Sequence, residues 1–165
     1  MDDQDEIKKK LNLTSYRTKK DPWNSNYQTM DNFILAMYSK SKVTSLISNS
    51  DTKYDYIIYL RPDVTYLTRF DLTFLEKVND NSICIPNFHN FGPYKFNDRF
   101  CICNYNNFTI YGDVFDKLLD ISKKNALHSE TILGKILHDN HINVIRIPFK
   151  FARTRFNGHI EVLNL

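Results

Sequence analysis

Glycine, cysteine and tryptophan are scarce in this chain of 165 residues, which contains 4, 3 and 1 of them. The three cysteines, Cys84, Cys101 and Cys103, cannot all pair within the chain, and no second cysteine pair completes a zinc site. Cys101 and Cys103 stand two residues apart and would share one face of a strand. We therefore expect buried free thiols, as in a reducing compartment. Glycine-rich phosphate loops and G-x-S-x-G elbows are also missing.

Long hydrophobic runs are equally rare. No stretch of about 18 apolar residues occurs, so the sequence predicts no transmembrane helix. The first ten residues, MDDQDEIKKK, lack the apolar segment of a secretory signal. We therefore expect a cytoplasmic protein.

Charge of one sign does not dominate. Lysine and arginine total 22 against 19 acidic residues, and the net charge of +3 requires no nucleic-acid partner. A domain that binds anions or RNA through Lys, Arg, Tyr and Phe is a third hypothesis beside the two developed below. A hydrophobic fraction of 42% is enough for the core of a single domain.

The hydrophobic pattern alternates between strand and helix. Residues 1–28 are polar and predict a loosely ordered lead-in, and residues 29–165 predict one α/β domain. The predicted helices are 29–47, 72–78, 113–124 and 129–139, and the predicted strands are 56–60, 82–86, 99–103 and 143–149. This alternation predicts a mainly parallel central sheet flanked by helices.

The first predicted strand ends at a charged motif. Pro62 lacks an N–H group and biases Arg61 towards extended geometry, so the strand ends there with Arg61 and Asp63 at its carboxyl end. In open α/β sheets that edge binds ligands. The alternative is a surface ion pair in a turn.

Three more polar clusters stand where predicted elements begin or end. Taken singly, they can be a solvated turn, a helix cap and an exposed strand face. Taken together with Arg61 and Asp63, they offer cations for an anion, carboxylates for a metal or a general base, and a helix N-terminus, which suits a phosphate-bearing substrate. The clusters are Asn97-Asp98-Arg99, His128-Ser129-Glu130, and Arg153 with Arg155.

Five segments in order carry a resemblance to a known family. They are YDYIIYLRPDV, SICIP, NDRF, HSE and FKFARTRFNG, and they extend over about residues 29 to 158. In this order the chain resembles glycosyltransferase-like proteins of the GT-A fold, which occur in large DNA viruses, microbes and eukaryotes. The resemblance implies a GT-A-like, partly Rossmann-like sheet and transfer of a sugar from a nucleotide sugar to an acceptor hydroxyl. A viral member would act in the host cytoplasm.

The resemblance also implies a role for each matched residue. Asp63 would hold Mn²⁺ or Mg²⁺, and Asp98 or Glu130 would act as the catalytic base. The donor diphosphate would be bound by Arg61, Asp63, Arg153 and Arg155. The remaining substrate contacts would come from Asn97, Arg99, His128 and Ser129.

The chain departs from the family pattern in two places. Arg61 replaces the first acid of the usual Asp-x-Asp, so either Asp63 alone holds the metal or Arg61 itself neutralises the diphosphate. Only 28 polar residues stand where a nucleotide-binding βαβ stretch is expected, so the donor half is absent or reduced. The alternative to a transferase is therefore a non-catalytic remnant or carbohydrate-binding module. A partner chain that supplies the missing half would restore the transferase.

Overall fold

The computed structural model describes residues 4–155 and 157–161. Its α-helices are α1 (Gln4–Leu11), α2 (Gln28–Ser48), α3 (Phe108–Gly112), α4 (Leu118–Lys124) and α5 (Ser129–Asp139). Its strands are β1 (Tyr56–Leu60), β2 (Val64–Tyr66), β3 (Ser82–Pro86), β4 (Phe100–Asn104), β5 (Asn143–Ile147), β6 (Phe151–Thr154) and β7 (Ile160–Glu161). Short 3-10 helices lie at Leu13–Tyr16, Leu72–Lys77 and Phe115–Lys117.

The central sheet has the order β1-β4-β3-β5, and the prediction of a mainly parallel sheet is wrong. β4 runs antiparallel to both of its neighbours, and β3 with β5 is the parallel pair. The length of the connecting segments explains these strand directions, because two neighbouring strands can run parallel only when a long crossover joins them. Residues 87–99 join β3 to β4 without a helix, so the chain turns back, whereas α3, α4 and α5 separate β4 from β5.

The two middle strands of the central sheet, β3 and β4, are buried on both faces, and successive side chains point to opposite faces. Ile57 and Tyr59 of β1 pack with the free thiols of Cys101 and Cys103 on the face covered by α2 and α5. Cys84 and Ile102 point to the opposite face, into a cluster rich in phenylalanine. The prediction of buried free thiols is confirmed.

A second sheet, of order β2-β6-β7, was not predicted. Val64 pairs with Arg153 and Thr65 with Ala152 in an antiparallel ladder. β2 has three residues and β7 has two, so neither carries a period long enough to be recognised alone. Residues 151–154 therefore form β6, and β6 places Arg153 beside the end of β1.

The polar segment before α2 makes specific contacts. The buried carboxylate of Asp21 accepts hydrogen bonds from the backbone N–H groups of Trp23, Ser25 and Tyr27. The Trp23 ring stacks on His128 with the ring centroids 5.1 Å apart. This segment thus covers the start of α5. Within the described ranges, none of the helices combines the length and the apolar character that crossing a membrane requires.

Candidate functional site

The predicted motifs meet because of the strand directions. β1 and β4 are antiparallel with Leu60 opposite Phe100, so the residue after β1 lies beside the residues before β4. The carboxyl ends of β3 and β5 reach the same edge, because both strands run opposite to β4. Arg61 and Asp98 therefore share one end of the sheet. Asp98 is close enough to raise the pKa of Arg61, after the larger effect of Asp63.

The centre of the site is a bidentate ion pair. Arg61 Nε donates to Asp63 Oδ1 at 2.8 Å, and Arg61 Nη2 donates to Asp63 Oδ2 at 2.6 Å. This hydrogen bonding lowers the pKa of Asp63 and raises that of Arg61. The side chains are partly exposed, so the pair is accessible to a ligand.

The second sheet brings Arg153 to this pair. The backbone N–H of Thr154 donates to the carbonyl oxygen of Asp63 at 3.0 Å, which anchors β6 next to the strand end. Arg153 Nε then lies 3.5 Å from Asp63 Oδ2. Arg155 directly follows β6 and pairs with Glu161 at 2.5 Å.

Asp63, Arg153 and Arg155 line an open cleft of about 640 Å³, called the arginine cleft below, and Arg61 borders it through its pair with Asp63. The pKa of Arg153 is lowered by partial burial and then by the neighbouring guanidinium groups of Arg155 and Arg61. In and beside the cleft, the guanidinium groups of Arg61, Arg153 and Arg155 share two carboxylates, those of Asp63 and Glu161. An anion would relieve the repulsion between the guanidinium groups, and arginine binds phosphate oxygens in a bidentate manner. The cleft walls are Pro62, Asp63, Val64, Arg153, Thr154 and Arg155.

The donor set does not suit a divalent cation. Both oxygens of Asp63 accept hydrogen bonds from Arg61, and a second guanidinium lies 3.5 Å away. Mg²⁺ requires oxygen ligands that it can approach at about 2.1 Å. Across residues 4–155 and 157–161, no group of three His, Cys, Asp or Glu side chains is arranged to hold a metal. A metal at Asp63 would therefore have to displace the Arg61 guanidinium.

The Asn97-Asp98-Arg99 cluster divides into separate roles. The buried side chain of Asn97 donates to the carbonyl of Phe88 at 2.7 Å and accepts from the backbone N–H of Arg99 at 2.9 Å. Asn97 thus shapes the 87–99 loop. Arg99 contacts His89 Nδ1 at 3.2 Å. Asp98 is partly exposed, and its charge acts to raise the pKa values of Arg61 and Lys40.

Lys40 was not predicted as part of the site. Its Nζ is buried, has no hydrogen-bond partner among the described residues, and lies 3.9 Å from the centroid of the Tyr111 ring. Burial lowers the pKa of Lys40 from 10.5 to about 8, against the opposing effect of Asp98. A sequence signal exists, because Lys40 follows Phe33 and Met37 on the buried stripe of α2.

Glu130 belongs to a different hydrogen-bonded group. Its Oε2 accepts a hydrogen bond from Ser129 Oγ at 2.5 Å and lies 3.4 Å from His128 Nδ1. The same His128 nitrogen contacts Thr131 Oγ1 at 3.1 Å. No hydrogen bond or ion pair between described residues joins this group to Arg61 or Asp63. Convergence of Glu130 on the arginine cleft stays a prediction.

The 87–99 loop connects the two groups in space. A Cβ added at Gly92 would lie 2.9 Å from Thr131 Oγ1, so the loop packs directly on the first turn of α5. The start of α5 therefore faces the end of the sheet where Arg61 lies. Comparison with known proteins adds no further assignment: no family model, no curated protein and no solved structure matches this chain.

Proposed function

We propose that this protein is glycosyltransferase-like and that its arginine cleft holds the phosphate groups of a nucleotide sugar. One observation carries the proposal: Arg153 and Arg155 line an open cleft with Asp63, Arg61 is paired with that same carboxylate, and burial and mutual repulsion disfavour the charge of Arg153. The order of the five sequence motifs supports the sugar-transferring part of the proposal.

The chain's own residues can serve the departure of a diphosphate. Guanidinium groups that are already fixed stabilise negative charge as it develops on the leaving oxygen. Asp63 holds the Arg61 fork in place, and Arg153 and Arg155 present theirs to the cleft. This arrangement replaces the usual metal with arginine, the alternative raised by the Arg61-x-Asp63 motif.

The acceptor hydroxyl needs a base. Asp98 is partly exposed at the same edge of the sheet and makes no side-chain hydrogen bond or ion pair with another described residue. Its carboxylate would take the hydroxyl proton as the acceptor oxygen bonds to the sugar carbon and the diphosphate leaves. Asp98 is therefore the catalytic candidate that we favour over Glu130, whose carboxylate already bonds Ser129.

A second candidate is a binding protein without transferase activity. The observation that favours it is the engagement of two of the three candidate carboxylates: Asp63 is held by Arg61, and Glu130 by Ser129. Such a protein would bind the sugar nucleotide and release no free nucleotide. Product formation distinguishes the two candidates.

Isothermal titration with UDP, GDP and pyrophosphate tests the shared part of the proposal. Arg153→Ala should weaken binding by about tenfold or more, because it removes one charge-assisted contact. Arg69→Ala is the matched control, since Arg69 is exposed and the change in net charge is the same. Equal affinities of the two variants would contradict the proposal. Release of nucleotide from sugar donors, lost in Asp98→Asn, tests transfer.

A further inference from the structure

β1 forms an open edge of the central sheet. It pairs with β4 on one side, and on the other side no backbone hydrogen bond reaches it from any described residue. Strand alternation exposes Tyr56, Ile58 and Leu60, which are 40%, 38% and 54% accessible. Soluble proteins usually protect such edges with charges, prolines or bulges within the strand. β1 contains none of them.

The apolar surface continues from β1 onto α2. Val43 and Leu46 are 50% and 72% accessible and border a groove of about 380 Å³ that includes Tyr54, Tyr56 and Ile58. Exposed backbone N–H and C=O groups thus lie between two rows of apolar side chains. A β-strand with apolar neighbours is the occupant that satisfies both features.

We propose that β1 pairs antiparallel with β1 of a second copy of this chain, in a register centred on Ile58. The two-fold axis then stands perpendicular to the sheet at Ile58, and the two central sheets become one. Tyr56 lies opposite Leu60 of the second copy, so every exposed cross-strand pair is apolar. The interface is isologous, as in most dimers.

Charge complementarity selects this register. Asp55 lies opposite Arg61 of the second copy, and the symmetry repeats the contact. Asp55 is exposed and forms no ion pair with a described residue, and Arg61 is partly exposed beside Asp63. A slip by one residue would bring Asp55 opposite Leu60 and turn the apolar face away. The Val43 and Leu46 side chains of both copies then lie on the same face, beside the strand pair.

This inference does not depend on the proposed function, and cysteine cross-linking tests it. Residues directly opposite in an antiparallel pair have Cα atoms about 4.5–5.5 Å apart, within the reach of a disulfide. Ile58→Cys should therefore form a disulfide dimer under mild oxidation. Tyr56→Cys and Leu60→Cys should cross-link when mixed and not alone. The native thiols are buried, and the exposed Leu72→Cys is the control.

Sedimentation of the full chain gives the second measurement. We expect the wild-type chain to sediment as a dimer. The dimer dissociation constant should rise by at least about tenfold in Ile58→Lys and by a smaller factor in Asp55→Arg. A monomeric wild-type chain overturns the proposal, as does cross-linking of Ile58→Cys no faster than that of Leu72→Cys. A dimer in which Tyr56→Cys cross-links alone as fast as Ile58→Cys overturns the register.

Discussion

Lys40 places a charged side chain in largely apolar surroundings. It is a partly buried residue of α2 whose Nζ is fully buried, and it lies where the pattern of Phe33 and Met37 calls for an apolar side chain. Its ammonium group rests on Tyr111 without a hydrogen bond to a described residue. A buried charge without a full set of partners lowers stability unless another interaction offsets the desolvation.

Lys40→Met should therefore stabilise the fold at pH 7 by about 1 kcal/mol. The lowering of the pKa from 10.5 to about 8 corresponds to roughly 3 kcal/mol of desolvation cost, and a buried cation–π contact returns about 2 kcal/mol. Methionine keeps the apolar stem. Chemical denaturation measures the difference, and the exposed Lys42→Met should change stability by less than about 0.5 kcal/mol.

The pH dependence of the free energy of unfolding tests whether the charge of Lys40 is the cause. Between pH 8 and 10.5 the unfolded chain holds more protons at Lys40 than the folded chain, so wild-type stability rises with pH in that window. The advantage of Lys40→Met should shrink across the same window. An advantage that stays constant from pH 7 to pH 10 would show that the charge of Lys40 is not the cause.

Asp63 should behave in the opposite way. Its pKa lies below the usual value because Arg61 binds the ionised form. The pair therefore stabilises the fold above about pH 4, the unfolded pKa, and this contribution disappears as pH falls through the folded pKa. The loss of melting temperature caused by Asp63→Asn should be largest near pH 6 and smallest near pH 3. Asp51→Asn, at an exposed position without an ion pair to described residues, should show no such trend.

At the scale of elements, packing against α5 fixes the position of the 87–99 loop. Gly134 lies on the face of α5 that meets Tyr94, and a Cβ at Gly134 would be 2.5 Å from the Tyr94 Cβ. The obstructing atom is next to the backbone and cannot rotate away. The loop that carries Asn97 and Asp98 therefore depends on glycine in the middle of a helix.

Gly134→Ala should destabilise the protein by about 1–2 kcal/mol. Alanine gains about 1 kcal/mol in helix propensity, but forcing the loop away from α5 costs up to about 3 kcal/mol of overpacking. Adding Tyr94→Gly should remove part of the loss, because the colliding Cβ is gone. Ser39→Ala, on an exposed position of α2, should be neutral or slightly stabilising. Stabilisation by Gly134→Ala would contradict the packing described here.

At the scale of the whole molecule, the nearly neutral chain concentrates cations at one end of the sheet. The net charge is +3 over 165 residues, yet two arginines line the arginine cleft and Arg61 pairs with Asp63 beside them. The arginine cleft offers few contacts to the phosphates, and no residue is assigned to the nucleotide base. Because one charge-assisted contact supplies about 1.5–3 kcal/mol, we expect a nucleotide sugar to bind weakly, with a dissociation constant of about millimolar.

Pyrophosphate binding should weaken as salt rises and should not change when EDTA is added. Screening shortens the reach of the exposed arginines, and Asp63 offers no free oxygen pair to a cation. Titration calorimetry at two salt concentrations, with EDTA or Mn²⁺, measures both effects. Micromolar binding that requires Mn²⁺ would show that Asp63 exchanges Arg61 for a metal.

Local signals in the sequence determined several elements. The strands 56–60 and 82–86 and the helix 129–139 have the predicted bounds, and Pro62 and Pro86 mark the strand ends by local chemistry. The expectation that Ser129 caps the helix is wrong, because His128 is the N-cap and Ser129 Oγ donates to Glu130 Oε2. The charged Arg61-x-Asp63 motif at the end of β1 was also evident, since both residues belong to one short segment. Helix 113–124 was less well predicted: α4 begins at Leu118, after a 3-10 turn.

Tertiary structure alone decided strand direction, the second sheet and the composition of the site. Strand direction depends on whether the connection between two strands contains a crossover, and three-residue strands are stable only when they are paired. Neither strand direction nor the presence of such short strands can therefore be read from a local hydrophobic pattern. Arg153 reaches Asp63 across a ladder between residues 89 positions apart, as the pairing of Val64 with Arg153 requires. The sequence by itself determined which residues carry charge, and long-range pairing determined which of those charges meet.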